Sequence, residues 1–127
     1  MQCPPAEIIS NKINFANCIL DPTFQTLTTP TKVIRLRNKL FFVFCYLVNN
    51  ENNLVSREQL INDCWLGNKY TGQKAITHSI CHIRKLIKEQ NIPVSITTMS
   101  KRGYVFRNGQ EHYQNQPQSD YLKTFNI

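Results

Sequence analysis

Four isoleucines constrain this chain more than any other feature. Ile76, Ile80, Ile83 and Ile87 recur at intervals of 4, 3 and 4 residues, the spacing that lines apolar side chains along one stripe of an α-helix. Between and beside them stand Lys74, Thr77, His78, Cys81, His82, Lys85 and Lys88, so the opposite side of the same helix carries cations and hydrogen-bonding groups. Pro93 lacks an N–H and prevents the helix from continuing, which ends it near Gln90 or Asn91. Residues 94–99 and 104–107 then read as two strands joined by the tip Ser100-Lys101-Arg102-Gly103. A helix that buries isoleucine and shows cations is suited to a DNA major groove. A short basic hairpin beside it suits the adjacent minor groove.

The residues before this unit supply its support. Leu36, Leu40, Val43, Phe44 and Leu47 share a helical face, widened by Phe41 and Val48, with Asn38 as the expected N-cap and the polar run 49–53 as the stop. Ser56-Arg57-Glu58-Gln59 matches a capping box and opens a second helix: the serine hydroxyl accepts from the N3 amide while the glutamine side chain reaches back. Its apolar side holds Leu60, Ile61, Cys64 and Trp65, residues 66–70 read as a loop, and Thr71 is the expected cap of the isoleucine helix. Upstream, apolar segments at 13–20, 24–27 and 33–36 are separated by Asp21-Pro22 and Thr29-Pro30-Thr31, which predicts a small antiparallel sheet of three or more strands. The expected class is therefore α+β: a winged helix-turn-helix with an N-terminal antiparallel sheet, three helices and a C-terminal β-hairpin wing. The expected division is a loose arm over 1–11, the folded unit over 12–108 and a polar linker or tail over 109–127.

Charge and cysteines narrow the function classes. Among 127 residues, 15 Lys and Arg against 8 Asp and Glu give a net charge of +7, a balance that favours a polyanionic partner. The five cysteines (Cys3, Cys18, Cys45, Cys64 and Cys81) are odd in number and contain no C-x-x-C. That argues against a disulfide framework and for a cytoplasmic setting. The longest apolar run, 40–48, is far shorter than the roughly 20 residues that span a bilayer. No G-x-S-x-G, Gly-rich phosphate loop or H-E-x-x-H occurs, and no paired-carboxylate site is evident, so catalysis and cofactors are not expected. His78 and His82 at i and i+4, with Cys81 between, allow a metal-responsive alternative. With no fourth ligand evident, they read more simply as a polar DNA-facing surface. Trp65 and Tyr104 are expected in the core, the tyrosine under the wing with its hydroxyl bonded.

Four stretches together carry a family resemblance. Val55-Ser-Arg-Glu-Gln-Leu60, Cys64-Trp65-Leu66-Gly67, Ile80-Cys-His-Ile-Arg-Lys85 and Ile96-Thr-Thr-Met-Ser-Lys-Arg-Gly-Tyr-Val-Phe106 resemble, in order and spacing, the winged-helix effector domain of OmpR/PhoB-type regulators. The similarity covers roughly residues 13–107. About a dozen residues precede the first strand, too few for a receiver domain, which resembles the ToxR/CadC-like branch, whose members are often membrane-anchored and some of which regulate fimbrial or virulence genes. The chain departs from the family at three places: Arg37 stands where a threonine is usual, Leu40 replaces a carboxylate, and Ser100 replaces a wing arginine.

The resemblance implies sequence-specific binding of double-stranded DNA by a bacterial transcription regulator, with activation the favoured outcome. It places contacts at Lys74, Ser79, His82 and Arg84. Helical geometry adds Thr77, His78, Cys81 and Lys85 as neighbours on the outward side. Lys74, Arg84 and Lys85 are expected on phosphates, and His78, Ser79 and His82 at base edges. Thr98, Lys101 and Arg102 belong to the wing. The loop 66–70 is similar to the region some relatives use against RNA polymerase. Two copies self-associating on repeated promoter half-sites are expected, since one small module reads few base pairs. The rival expectation is a winged helix whose basic face docks an acidic protein.

Overall fold

The computed structural model describes residues 11–108; the expected arm over 1–11, save its last residue, and the tail over 109–127 lie outside the described residues. The order of elements is β1 (Ile13–Phe15), β2 (Cys18–Asp21), β3 (Thr26–Thr28), β4 (Val33–Arg35), α1 (Asn38–Asn49), β5 (Leu54–Val55), α2 (Arg57–Cys64), α3 (Lys69–Glu89), β6 (Val94–Met99) and β7 (Gly103–Asn108). Three helices with antiparallel strands make the α+β winged-helix architecture that the sequence predicts.

The first four strands form an antiparallel meander in the order β1-β2-β3-β4. The apolar segment 13–20 is divided by a tight hairpin: Phe15 pairs with Cys18, and the two residues between them, Ala16 and Asn17, both have positive φ (46° and 66°). That backbone matches the twist of a two-residue hairpin. Alternation puts Phe15, Cys18, Leu20 and Leu27 on the covered side.

Helix α1 is the centre of the domain. All nine residues from 40 to 48 are buried, not only the stripe that periodicity predicts, because α1 has the N-terminal sheet on one side and α2, α3 and the wing on others. The Phe15 ring lies with its centroid 5.5 Å from Phe44 and 5.7 Å from Phe106, so one aromatic cluster joins the first strand, the central helix and the last strand. Tyr46 donates its hydroxyl to the Asp63 carboxylate, tying α1 to α2. Burial, and then this carboxylate, push the tyrosine pKa upward.

Helix caps were only partly foreseeable. Ser56 forms the complete capping box with Gln59. Asn38 is the first residue of α1 rather than its cap; Arg37 occupies the N-cap position and makes no side-chain cap bond. Thr71 is likewise inside α3. Asn68 caps that helix by accepting from the Thr71 N–H at 3.2 Å, so α3 begins at Lys69, within the expected loop. Gly72 lets α2 and α3 approach: a Cβ there would lie 3.0 Å from Ile61 Cγ1.

The second sheet, in the order β5-β7-β6, contains a two-residue strand that sequence alone did not reveal. β5 pairs Leu54 with Val105 and Val55 with Tyr104, stitching the wing to the segment between α1 and α2. The wing hairpin runs from Val94↔Asn108 to Met99↔Gly103. At its tip the Arg102 N–H donates to the Met99 carbonyl at 2.8 Å, and Lys101 has φ 62°.

Candidate nucleic-acid interface

Helix α3 is sharply two-sided. Gly72, Ile76, Ser79, Ile80, Ile83, Leu86 and Ile87 are buried, while Lys74, Thr77, His78, Cys81, His82, Arg84, Lys85 and Lys88 are exposed. Lys74, His78, Cys81, Lys85 and Lys88 form one row down the outer face, about 20 Å long at 1.5 Å per residue. Thr77 and Arg84 flank the row on the wing side, and His82 flanks it on the side of α1. Among the described residues, Lys74, Lys85, Lys88, Lys101 and Arg102 have no carboxylate partner. Their charge is therefore available to an anion, and the row is a field of uncompensated cations.

Three expected contact residues are already engaged within the domain. Arg84 donates to the Ile96 carbonyl from Nε at 3.2 Å and Nη2 at 2.7 Å, and to Thr98 Oγ1 at 2.7 Å. This makes Arg84 and Thr98 a clamp between α3 and β6 that fixes the angle between helix and wing. Thr77 Oγ1 donates to the Gln73 carbonyl at 3.3 Å and accepts from Arg57 Nη2 at 3.3 Å. Ser79 departs further from expectation: it is only 9% exposed, turned from the outer row toward the start of α1. A helix turns 100° per residue, and position 79 falls closer to the isoleucine stripe than to Lys74 and His78.

Arg57 is the residue that sequence reasoning passed over. It enters the sequence reading only as a neighbour of the capping serine. In the fold, Nε donates to Gln73 Oε1 at 2.9 Å, Nη2 to the Gln73 carbonyl at 2.7 Å, and Nη1 to the Tyr104 hydroxyl. Its Cζ also lies 5.9 Å from the Tyr104 ring centroid. One planar guanidinium thus bridges α2, α3 and β7, using the fork of donors that lysine lacks. Tyr104 is buried with its hydroxyl bonded, as expected. Trp65 is also buried, with Lys39 Nζ 5.4 Å from its ring centroid. Lys39 donates as well to the Cys64 carbonyl, satisfying the end of α2.

The thiols divide in the same way. Cys18, Cys45 and Cys64 are buried and Cys81 is exposed. Burial pushes the Cys45 thiol up to about 12, so its thiolate is scarce at neutral pH. Among the described residues, no three His, Cys, Asp or Glu side chains gather in a metal-holding arrangement, and His78, Cys81 and His82 lie along an open helix face. No described helix is long and apolar enough to cross a membrane.

Sheet meander, capped second helix, two-sided third helix and stitched wing together define a winged-helix effector domain. Residues 31–106 match the family described as "Transcriptional regulatory protein, C terminal", and the chain belongs to this OmpR/PhoB-type family. Among curated relatives, the response regulator SaeR of Staphylococcus epidermidis is 33% identical over 101 residues, covering 76% of this chain and 44% of its own. The chain spans less than half the length of the curated relatives it matches first. Among solved structures, the DNA-binding domain of E. coli CadC aligns with a TM-score of 0.63 at 24% identity, covering 72% of this chain and 87% of that one. The Klebsiella pneumoniae RstA DNA-binding domain, solved in complex with the RstA box, aligns with a TM-score of 0.63 at 21% identity, covering 77% and 98%. At these identities the structural likeness speaks for the fold.

Proposed function

We propose that this domain binds double-stranded DNA sequence-specifically as the effector module of a bacterial transcription regulator. Helix α3 enters the major groove, and the wing tip lies at the neighbouring minor groove or backbone. The observation that carries this reading is the uncompensated cationic row of α3 beside an exposed Lys101-Arg102 tip, a helix and hairpin held at a fixed angle by Arg84. Family membership supports it, as does a neighbour solved on its own DNA box.

Within this reading the roles divide by chemistry. Lys74 and Lys85 neutralise phosphates, and Lys101 and Arg102 serve the wing. His78 and His82 donate to or accept from base edges. Arg84, Thr98 and Thr77 position the helix and wing more than they read DNA. Exposed Leu66 (59%) and Tyr70 (95%), at the α2–α3 junction, are an apolar pair suited to a protein contact, for which RNA polymerase is the proposed partner and activation the outcome. Self-association on repeated half-sites, a cytoplasmic location and a membrane-anchored parent of the ToxR/CadC-like kind belong to the same proposal.

Competition between a selected and a scrambled duplex tests the division. His82→Ala should cut the preference for the selected site roughly tenfold, about the value of one base contact. Lys74→Ala and Lys101→Ala should weaken both duplexes alike and flatten the salt dependence. Equal losses in all three variants would remove the division, and binding that ignores salt would favour an acidic protein as partner.

A thiol footprint gives a second check. In the free protein, Cys81 should react with a maleimide while Cys18, Cys45 and Cys64 wait for unfolding. Bound duplex should slow the Cys81 reaction at least about tenfold, since a helix seated in the groove excludes reagent from its outer row. Peptide mapping by mass spectrometry reads both rates, and unchanged labelling would count against the placement of α3.

A further inference from the structure

A groove of about 630 Å³ lies between the start of α1, Trp65 and α3; Arg37, Lys39, His78, Ser79, Cys81, His82 and Lys85 contribute its polar lining, with no carboxylate among them. We propose that this groove seats one phosphodiester of the DNA backbone at its α1 end, beside the base readers His78 and His82. It rests on the DNA-binding reading above and adds a residue, Arg37, that neither the helix face nor the wing contains.

Two independent features point to an anion. The first is the beginning of α1. Arg37 stands at its N-cap, its own side chain makes no cap bond, and the first turn holds no acidic residue. A helix start directs N–H groups and the positive end of its dipole outward, which favours a phosphate. Where the resembled family usually has threonine, which would cap these groups from within, this chain places an exposed guanidinium. The second feature is Ser79. Its side chain lines the groove at 9% exposure, and its hydroxyl bonds to no other described residue. A buried hydroxyl without a partner is costly and is ordinarily satisfied by water or a ligand. Here it faces a cavity ringed by cations. Lys39 is already held by the Cys64 carbonyl and contributes field. Arg37 and Lys85, both exposed, are free to close on a phosphate from opposite walls, while Ser79 donates from the floor. A phosphodiester flanking the major groove meets such a site as α3 docks, because the groove runs along the side of that helix.

The test uses the 127-residue chain and a duplex selected by it from a random library. Arg37→Thr should lower affinity about five- to tenfold near 0.1 M salt and flatten the log–log salt slope by about 0.9, the signature of one released counterion. Its melting temperature should hold or rise, since threonine restores a cap. Ser79→Ala should weaken binding without changing the slope. A walk of single methylphosphonates along the duplex should find one phosphate whose neutralisation weakens the wild type but not Arg37→Thr. Wild-type affinity and slope in Arg37→Thr, or losses at every phosphate that add to that variant's own, would overturn the seat while leaving DNA binding intact. A wild-type chain that holds no duplex at any salt would overturn both.

Discussion

Replacing Gly103 with alanine should cost the domain more than about 3 kcal/mol and lower its melting temperature by more than about 10 °C. The cause is local and steric. Gly103 has φ 144°, and a Cβ there would lie 2.1 Å from the Val55 carbonyl oxygen and 2.7 Å from Ser56 Cα. Both obstructing atoms are backbone, so no rotamer change relieves the clash; β7 must move away from β5. Gly67→Ala is the control. Its φ is 80°, but the nearest atom to an added Cβ is Asn62 Oδ1 at 3.6 Å, so only the conformational cost of about 1 kcal/mol applies. Thermal melting followed by circular dichroism separates the two, and similar small shifts in both variants would show that β5 and β7 are not in contact as described.

Arg57→Ala should lower DNA affinity at least about thirtyfold and stability by about 2 kcal/mol. The guanidinium holds Gln73, Thr77 and Tyr104 at once, so its removal releases the first half of α3 from α2 and from the wing. Since Arg57 is bonded inward, the loss in affinity should come from misplacement of the reading face. Arg57→Lys should recover charge but little of the affinity, because an ammonium cannot reproduce the fork. A cycle with Tyr104→Phe should give a coupling of about 1–2 kcal/mol in stability. Full recovery by lysine would mean that Arg57 contributes charge to the interface and does not position it.

What could be foreseen followed from periodicity and capping chemistry, which are local. The isoleucine spacing placed the buried face of α3 and therefore its outer row. Ser56 and Gln59 announced the start of α2 because both halves of the capping box lie within one turn. The wing was legible from a proline stop, two apolar runs and a basic tip. What escaped depends on distant partners. β5 is two residues long and exists only because Val105 and Tyr104 arrive beside it. The full burial of α1 reflects neighbours on every side, which a single-helix pattern cannot register. Nothing within its own turn marks Arg57, since Gln73 and Tyr104 are 16 and 47 residues away. The same limit hid the acceptors of Arg84, since Ile96 and Thr98 lie across a proline and a turn. Ser79 was visible at its angle on the helix, yet its enclosure came from α1.

The pairing of β7 with β5 has a consequence for biosynthesis. Phe106 is fully enclosed and touches Phe15 at the far end of the folded region. Until that phenylalanine leaves the ribosome, the nascent chain lacks both the closing strand and the ring that locks the first hairpin to the central helix. The reading helix is therefore made early but acquires its fixed seat late, once the C-terminal strand is available. Ribosomes stalled just short of Phe106 should therefore carry a protease-sensitive intermediate, and the released chain should be resistant.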